Sequence, residues 1–133
     1  MTRRTLMIVC AAASSKLAWG DPPGAVLALL KSAAEALADQ DPPAFLELFD
    51  RAMPGYAQLR AAIEALLAPS GVASTVEIVE DEGTDQARDM EIDWLLQAGR
   101  DRPRRAVLKC RVERRGRGWK FVKLEPVSFF AGT

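Results

Sequence analysis

The chain contains no histidine in its 133 residues. That removes the commonest general base and metal ligand near neutral pH, and with it any Ser-His triad, Cys-His dyad or His-built metal site. Cysteine occurs only at positions 10 and 110, and there is a single tyrosine. Charge of one sign is lacking too: 18 basic residues balance 18 acidic ones, so no basic field invites nucleic acid. What is present, 49% hydrophobic and 27% charged residues, is the make-up of an ordinary globular protein. The length suits one domain with a real core.

The first twenty residues, MTRRTLMIVCAAASSKLAWG, join two arginines to a short apolar run, Leu6 to Ala13, and end on Ala18-Trp19-Gly20. A basic start, a brief apolar middle and small residues before the cut are the anatomy of a secretory signal peptide, with cleavage expected between Gly20 and Asp21. The run is too short to span a bilayer, so no membrane span is expected after its removal. TRRTLM resembles the twin-arginine export signal, with Leu6 where that signal usually has Phe; the Sec route stays open. Taking Arg3, Arg4 and Lys16 from 18 basic residues leaves 15 against 18 acidic, a net charge of −3. Cys10 leaves with the signal. Cys110 is then alone, and its strand AVLKCRV marks it as a packed small hydrophobe.

Asp21-Pro22-Pro23 and Asp41-Pro42-Pro43 are one device used twice, an Asp cap followed by Pro at the first helical turn. The first opens a helix from Gly24 to Ala38 with Val26, Leu29, Leu30, Ala33 and Leu37 on one stripe. The second opens a short helix carrying Phe45, Leu48 and Phe49, ended by Pro54-Gly55. A third runs from Tyr56 to Leu67, with Tyr56, Leu59, Ile63, Leu66 and Leu67 on one face. After Gly71 the apolar period changes to two. Val76, Ile78 and Glu80 alternate in a first strand that leads into an acidic turn, EDEGTDQ. Met90, Ile92, Trp94 and Leu96 alternate in a second strand, and Ala106, Leu108, Cys110 and Val112 in a third. RRGRG turns into a fourth, Trp119 to Leu124. The expected fold class is α+β: N-terminal helices packed on the apolar face of a four-stranded antiparallel meander.

This order, with GRGWKFVKLEP near the end and its Gly118, Trp119, Phe121 and Val122, resembles the nuclear transport factor 2-like superfamily. The resemblance implies one domain over residues 21–133, a curved sheet wrapped around helices as a cone-like roll, with a pocket between them. It implies no single activity, because the superfamily holds ketosteroid isomerases, polyketide cyclases, dehydratases and non-catalytic binding domains. A cystatin-like sheet on one helix, with no cavity, has the same sequence pattern.

In the second strand, MEIDWLL, Glu91 and Asp93 share one face. If residue numbers on the second and third strands pair to sum to 202, Trp94 meets Leu108 and Ile92 meets Cys110 inside. Outside, Glu91 then meets Arg111 and Asp93 meets Lys109. Such pairs are structural, worth about 0.2–1 kcal/mol each, which leaves Leu95 as the odd apolar residue on a charged face. The turn acids Glu80, Asp81, Glu82 and Asp85 lack calcium-loop spacing and read as solvated; no metal and no cofactor is expected. Arg60 and Glu64 are a surface i, i+4 pair. Lys123 would point inward under strict alternation, so a bulge or apolar cover on both faces is expected there. The tail aromatics Phe129 and Phe130 cover a sheet edge, the cone mouth or a dimer contact.

For a pocket, the apolar faces nominate Phe45, Phe49, Tyr56, Leu59, Ile63, Ile92, Trp94, Leu108, Cys110, Trp119 and Phe121. Asp50 and Tyr56 are the catalytic candidates. An isomerase of this superfamily needs an Asp base and a Tyr/Asp oxyanion pair, and the full set has no counterpart here. Three readings follow: an exported non-catalytic domain that binds a small apolar ligand or a partner protein, a small isomerase, dehydratase or cyclase using Asp50 and Tyr56, or a structural homo-oligomer such as a homodimer.

Overall fold

Helix α1 (Gly24–Ala38) buries Val26, Leu29, Leu30, Ala33, Ala36 and Leu37, the expected stripe with one alanine added. Its end is a Schellman turn: Asp41 N–H donates to the Ala36 carbonyl and Gln40 N–H to that of Leu37. Gln40 occupies the left-handed region at φ 59°, where glycine is the usual choice. Its side-chain amide donates to the Leu67 carbonyl at 2.8 Å, so one residue closes α1 and caps a later helix. The computed structural model describes residues 24–100 and 102–131. The signal peptide, its cut site and the Asp21-Pro22-Pro23 cap lie outside the described residues.

Asp41 accepts from the Ala44 N–H at 3.2 Å and opens α2 (Pro42–Leu46), with both prolines in its first turn. This helix stops earlier than the apolar spacing predicts. Glu47 and Leu48 form a turn instead, and Phe49 bridges to the last strand: Phe121 N–H donates to the Leu48 carbonyl and Asp50 N–H to that of Phe121, both at 2.9 Å. The two bonds satisfy the Leu48 carbonyl and the Asp50 N–H together with both backbone groups of Phe121. Helix α3 (Tyr56–Leu67) begins after Gly55, which sits at φ 84°. Gly71 then passes so close to the end of α1 that any Cβ there would overlap the Ala38 carbonyl oxygen.

The strands are β1 (Ala73–Gly83), β2 (Ala87–Gln97), β3 (Arg104–Arg115) and β4 (Gly118–Glu125), forming an antiparallel sheet in the order β1-β2-β3-β4. The sheet is curved and does not close, and the helices cover its inner face, giving the expected α+β class. Met90, Ile92, Trp94 and Leu96 are all buried. The β2–β3 register differs from the expectation by two residues: Ile92 faces Leu108, Trp94 faces Ala106, Glu91 faces Lys109 and Asp93 faces Val107. A slip of two keeps every side chain on its face, so hydrophobic alternation alone is blind to it. The turn decides, and Gly99 at φ 60° lets the chain reverse early enough to set Leu96 against Arg104.

Two bulges complete the sheet. One lies in β4, where Val112 faces Phe121 while Arg111 faces Lys123. Val122 is the extra residue, Lys123 stays exposed and Leu124 turns inward, as the chemistry of Lys123 demanded. The other was not anticipated. In β1 the register shifts between Ile78 and Glu80, so Asp81 faces Met90 on the inner side. The acidic stretch is therefore strand up to Gly83 rather than turn, and Asp81 is buried. A 3-10 turn, Val127–Phe130, follows β4 and brings Phe130 into the core.

Candidate functional site

The inside of the roll is aromatic. Phe49 stacks on Phe121 with centroids 4.6 Å apart, Phe45 packs on Phe49 at 5.1 Å, and Phe130 stands perpendicular to Trp94 at 5.3 Å. Phe45, Leu59, Ile63, Ile92, Trp94, Leu108, Cys110, Trp119 and Phe121, nominated as pocket lining, are all buried core side chains. Phe49 and Tyr56 are the two nominees that reach a cleft of about 750 Å³ on the molecule's surface. Asp50 reaches it as well, so both catalytic candidates open onto one space.

Three pieces of chain build this cleft. Pro43, Leu46, Glu47, Phe49, Asp50 and Arg51 come from α2 and the segment after it; Tyr56, Arg60 and Glu64 from successive turns of α3; Arg115 and Lys120 from the two sides of the β3–β4 turn. The pairing of Phe49 with Phe121 is what draws the first and third pieces together. Seven of these side chains carry charge. Glu47, Arg115 and Lys120 were absent from the sequence-based candidates, and nothing local marks them: their convergence depends on contacts 65 and 73 residues apart.

No protein-family model matches the chain, and no curated protein does. Solved structures do match. One is a nuclear transport factor 2-like protein of unknown function from Shewanella oneidensis MR-1, with TM-score 0.62 and 19% identity over 76% of this chain and 94% of that one. Another is a domain of unknown function with a cystatin-like fold from Nostoc punctiforme PCC 73102, with TM-score 0.61 and 14% identity over 76% of this chain and 73% of that one. The chain has the nuclear transport factor 2-like fold. A candidate scytalone dehydratase from Novosphingobium aromaticivorans DSM 12444 shares it, with TM-score 0.60 and 13% identity over 76% of this chain and 79% of that one. At such identities the likeness is one of fold and carries no chemistry across.

On this nuclear transport factor 2-like scaffold the cleft's charges are largely tied. Asp50 accepts from the Ala52 N–H at 2.9 Å and from Arg115 at 2.8 Å. The backbone donor first, and then Arg115, hold its carboxyl below the usual aspartate value. Arg115 also lies 3.3 Å from Glu113. Arg60 pairs with Glu64 at 3.2 Å, as the i, i+4 spacing predicts. Lys120 donates to the Glu47 backbone carbonyl at 3.0 Å. Among the described residues, no three His, Cys, Asp or Glu side chains converge.

The opposite, outer face of the sheet carries the acids of MEIDWLL. Asp93 holds Arg105 through two bonds of 3.0 and 2.8 Å, a diagonal partner in place of the expected Lys109. Further along, Arg111 bridges Asp89 and Glu113 at 2.8 and 2.9 Å. Leu95 is half-buried; the large hydrophobic exposed on this face is Val107, at 51%. Burial pushes the Cys110 thiol pKa up, with the fields of Asp89 and Asp81 adding to the effect, so this thiol is inert packing.

The Arg105 hydrogen bond depresses the Asp93 pKa against the opposing cost of burial. A depressed carboxyl contributes its stability in full above its unfolded value and loses it as pH falls through the folded one. The urea midpoint should therefore drop below about pH 4, and Asp93→Asn should flatten that drop while costing at most about 1 kcal/mol at pH 7, because Arg105 is well exposed. An unchanged acid limb in the variant would refute this assignment.

Proposed function

We propose that this chain is an exported, non-catalytic ligand-binding domain, and that the cleft between α2, α3 and the β3–β4 turn is its binding site. The observation that carries the reading is the state of Asp50. Each of its carboxylate oxygens accepts one bond, from a backbone N–H and from a guanidinium, and both favour the ionised form. A general base works best with a pKa near the working pH, and this environment pushes the opposite way. The cleft's size falls within the range of small-molecule sites, while the roll's aromatic interior supplies rigidity. Its charged lining suits a ligand with a polar group better than the purely apolar one that the strand faces suggested.

A second reading keeps one observation: Asp50 and Tyr56 do share the cleft, part of what a small isomerase, dehydratase or cyclase would need. One experiment separates the two. Protein recovered from the periplasm is sequenced at its N-terminus, incubated with a metabolite and lipid extract, desalted and weighed by native mass spectrometry. A chain starting at Asp21 that retains an unaltered small molecule supports the proposal. A full-length cytoplasmic chain removes the export half, and an extract component converted by the wild type but not by Asp50→Asn favours the enzyme.

A further inference from the structure

The cleft's bonds are unevenly shared, and the imbalance points to a ligand class. Glu64 with Arg60 forms a pair that cancels, while Arg115 is shared between Asp50 and Glu113. Lys120 is held at 3.0 Å by a carbonyl oxygen of Glu47 and forms no ion pair among the described residues, although the field of Asp50 reaches it, and two ammonium protons remain to donate. Arg51 is exposed at the cleft wall and makes no hydrogen bond or ion pair among the described residues. Tyr56, half-buried, likewise makes none through its hydroxyl. Against Arg51, Lys120 and the phenol stands one lining acid that makes no ion pair among the described residues, Glu47. The apolar part of the lining is Pro43, Leu46 and Phe49.

We infer that the cleft takes a small molecule with an anionic head, a carboxylate or a phosphate, on a compact apolar body. This rests on the reading of the cleft as a ligand site and names the chemistry that the site selects. Arg51 and Lys120 come from different parts of the chain and both line the cleft, and charge-assisted donors of this kind are roughly twice as strong as neutral ones. The half-enclosed walls raise their field above its value at an open surface. Tyr56 contributes a neutral donor and a ring edge for the apolar body. A cationic ligand would meet the same two charges, with Glu47 the one lining acid not already engaged by a cation.

The test is a ¹⁵N chemical-shift titration of the full chain with 4-phenylbutyrate, phenyl phosphate and the neutral isostere 4-phenylbutyramide. At least one anion should move the amide signals of residues 49–51, 56 and 120, and bind about tenfold tighter than the amide or better. Arg51→Ala and Lys120→Ala should each remove most of that preference, with spectra that otherwise keep the wild-type dispersion. An amide that binds the cleft as tightly as the anions overturns the anionic-head inference and leaves the ligand-site reading standing. Shifts that avoid the cleft for all three probes overturn both. Which anion binds tighter distinguishes carboxylate from phosphate.

Discussion

Replacing Arg88 with alanine should lower the free energy of unfolding by about 3–5 kcal/mol. The Arg88 guanidinium grips Asp81 through two bonds, Nε to Oδ1 at 2.9 Å and Nη2 to Oδ2 at 3.0 Å, and its remaining arm donates to the Thr84 carbonyl at 3.0 Å. The Asp81 side chain is wholly inaccessible to water and that of Arg88 is 12% exposed. Truncating the arginine would strand a carboxylate inside the sheet's apolar face without a counter-charge, which is the expensive event. The pair itself is another matter, since desolvating two ions offsets most of their attraction. Replacing both groups by apolar ones, Asp81→Leu with Arg88→Met, should therefore recover most of the loss. Urea unfolding of the wild type, the single variant and the double variant measures this. A loss under about 1 kcal/mol for Arg88→Ala would show that water reaches Asp81.

The second large effect belongs to the tail. Phe130→Ala should cost about 3–5 kcal/mol, as much as removing a ring from the centre of the sheet. Phe130 lies five residues after β4, in a 3-10 turn, yet it is completely buried, 5.8 Å from the Phe45 ring and 5.3 Å from that of Trp94. Arg104 pins the turn by donating to the Phe129 carbonyl at 2.7 Å. The substitution opens a cavity beside Trp94, so the near-ultraviolet circular dichroism should weaken along with stability. Phe129→Ala, at a half-buried neighbour, serves as the internal comparison and should cost clearly less. Equal losses at the two positions would mean that Phe130 is not the inward-facing ring.

These two residues show where sequence reasoning stopped. Both Phe130 and Asp81 are visible in the chain, but neither announces its side. Phe130 was expected at a sheet edge, the cone mouth or a dimer contact, and only its packing against Phe45 and Trp94 places it in the core. Asp81 sat in an acidic stretch with every local mark of a solvated turn. The cue that could have placed it was Arg88, which is in phase with Met90, Ile92 and Trp94 and so had to point inward with a partner. Adjacent apolar residues at Ile78 and Val79 were the second cue, because a bulge there advances the alternation by one.

The amino-acid sequence by itself determined the stripe of α1, the inward faces of β2 and β3, the need for a bulge or a second apolar cover at Lys123 and the packing of Cys110. Each of these follows from a period of 3.6 or 2 and from the cost of burying the wrong group, which are properties of neighbours in the chain. Tertiary structure alone decided the β2–β3 register, the burial of the tail and the cleft. Alternation repeats every two residues and cannot distinguish registers two apart. The cleft requires Asp50 to meet Arg115 and Glu47 to meet Lys120, and no local period encodes which distant residues a folded chain brings together.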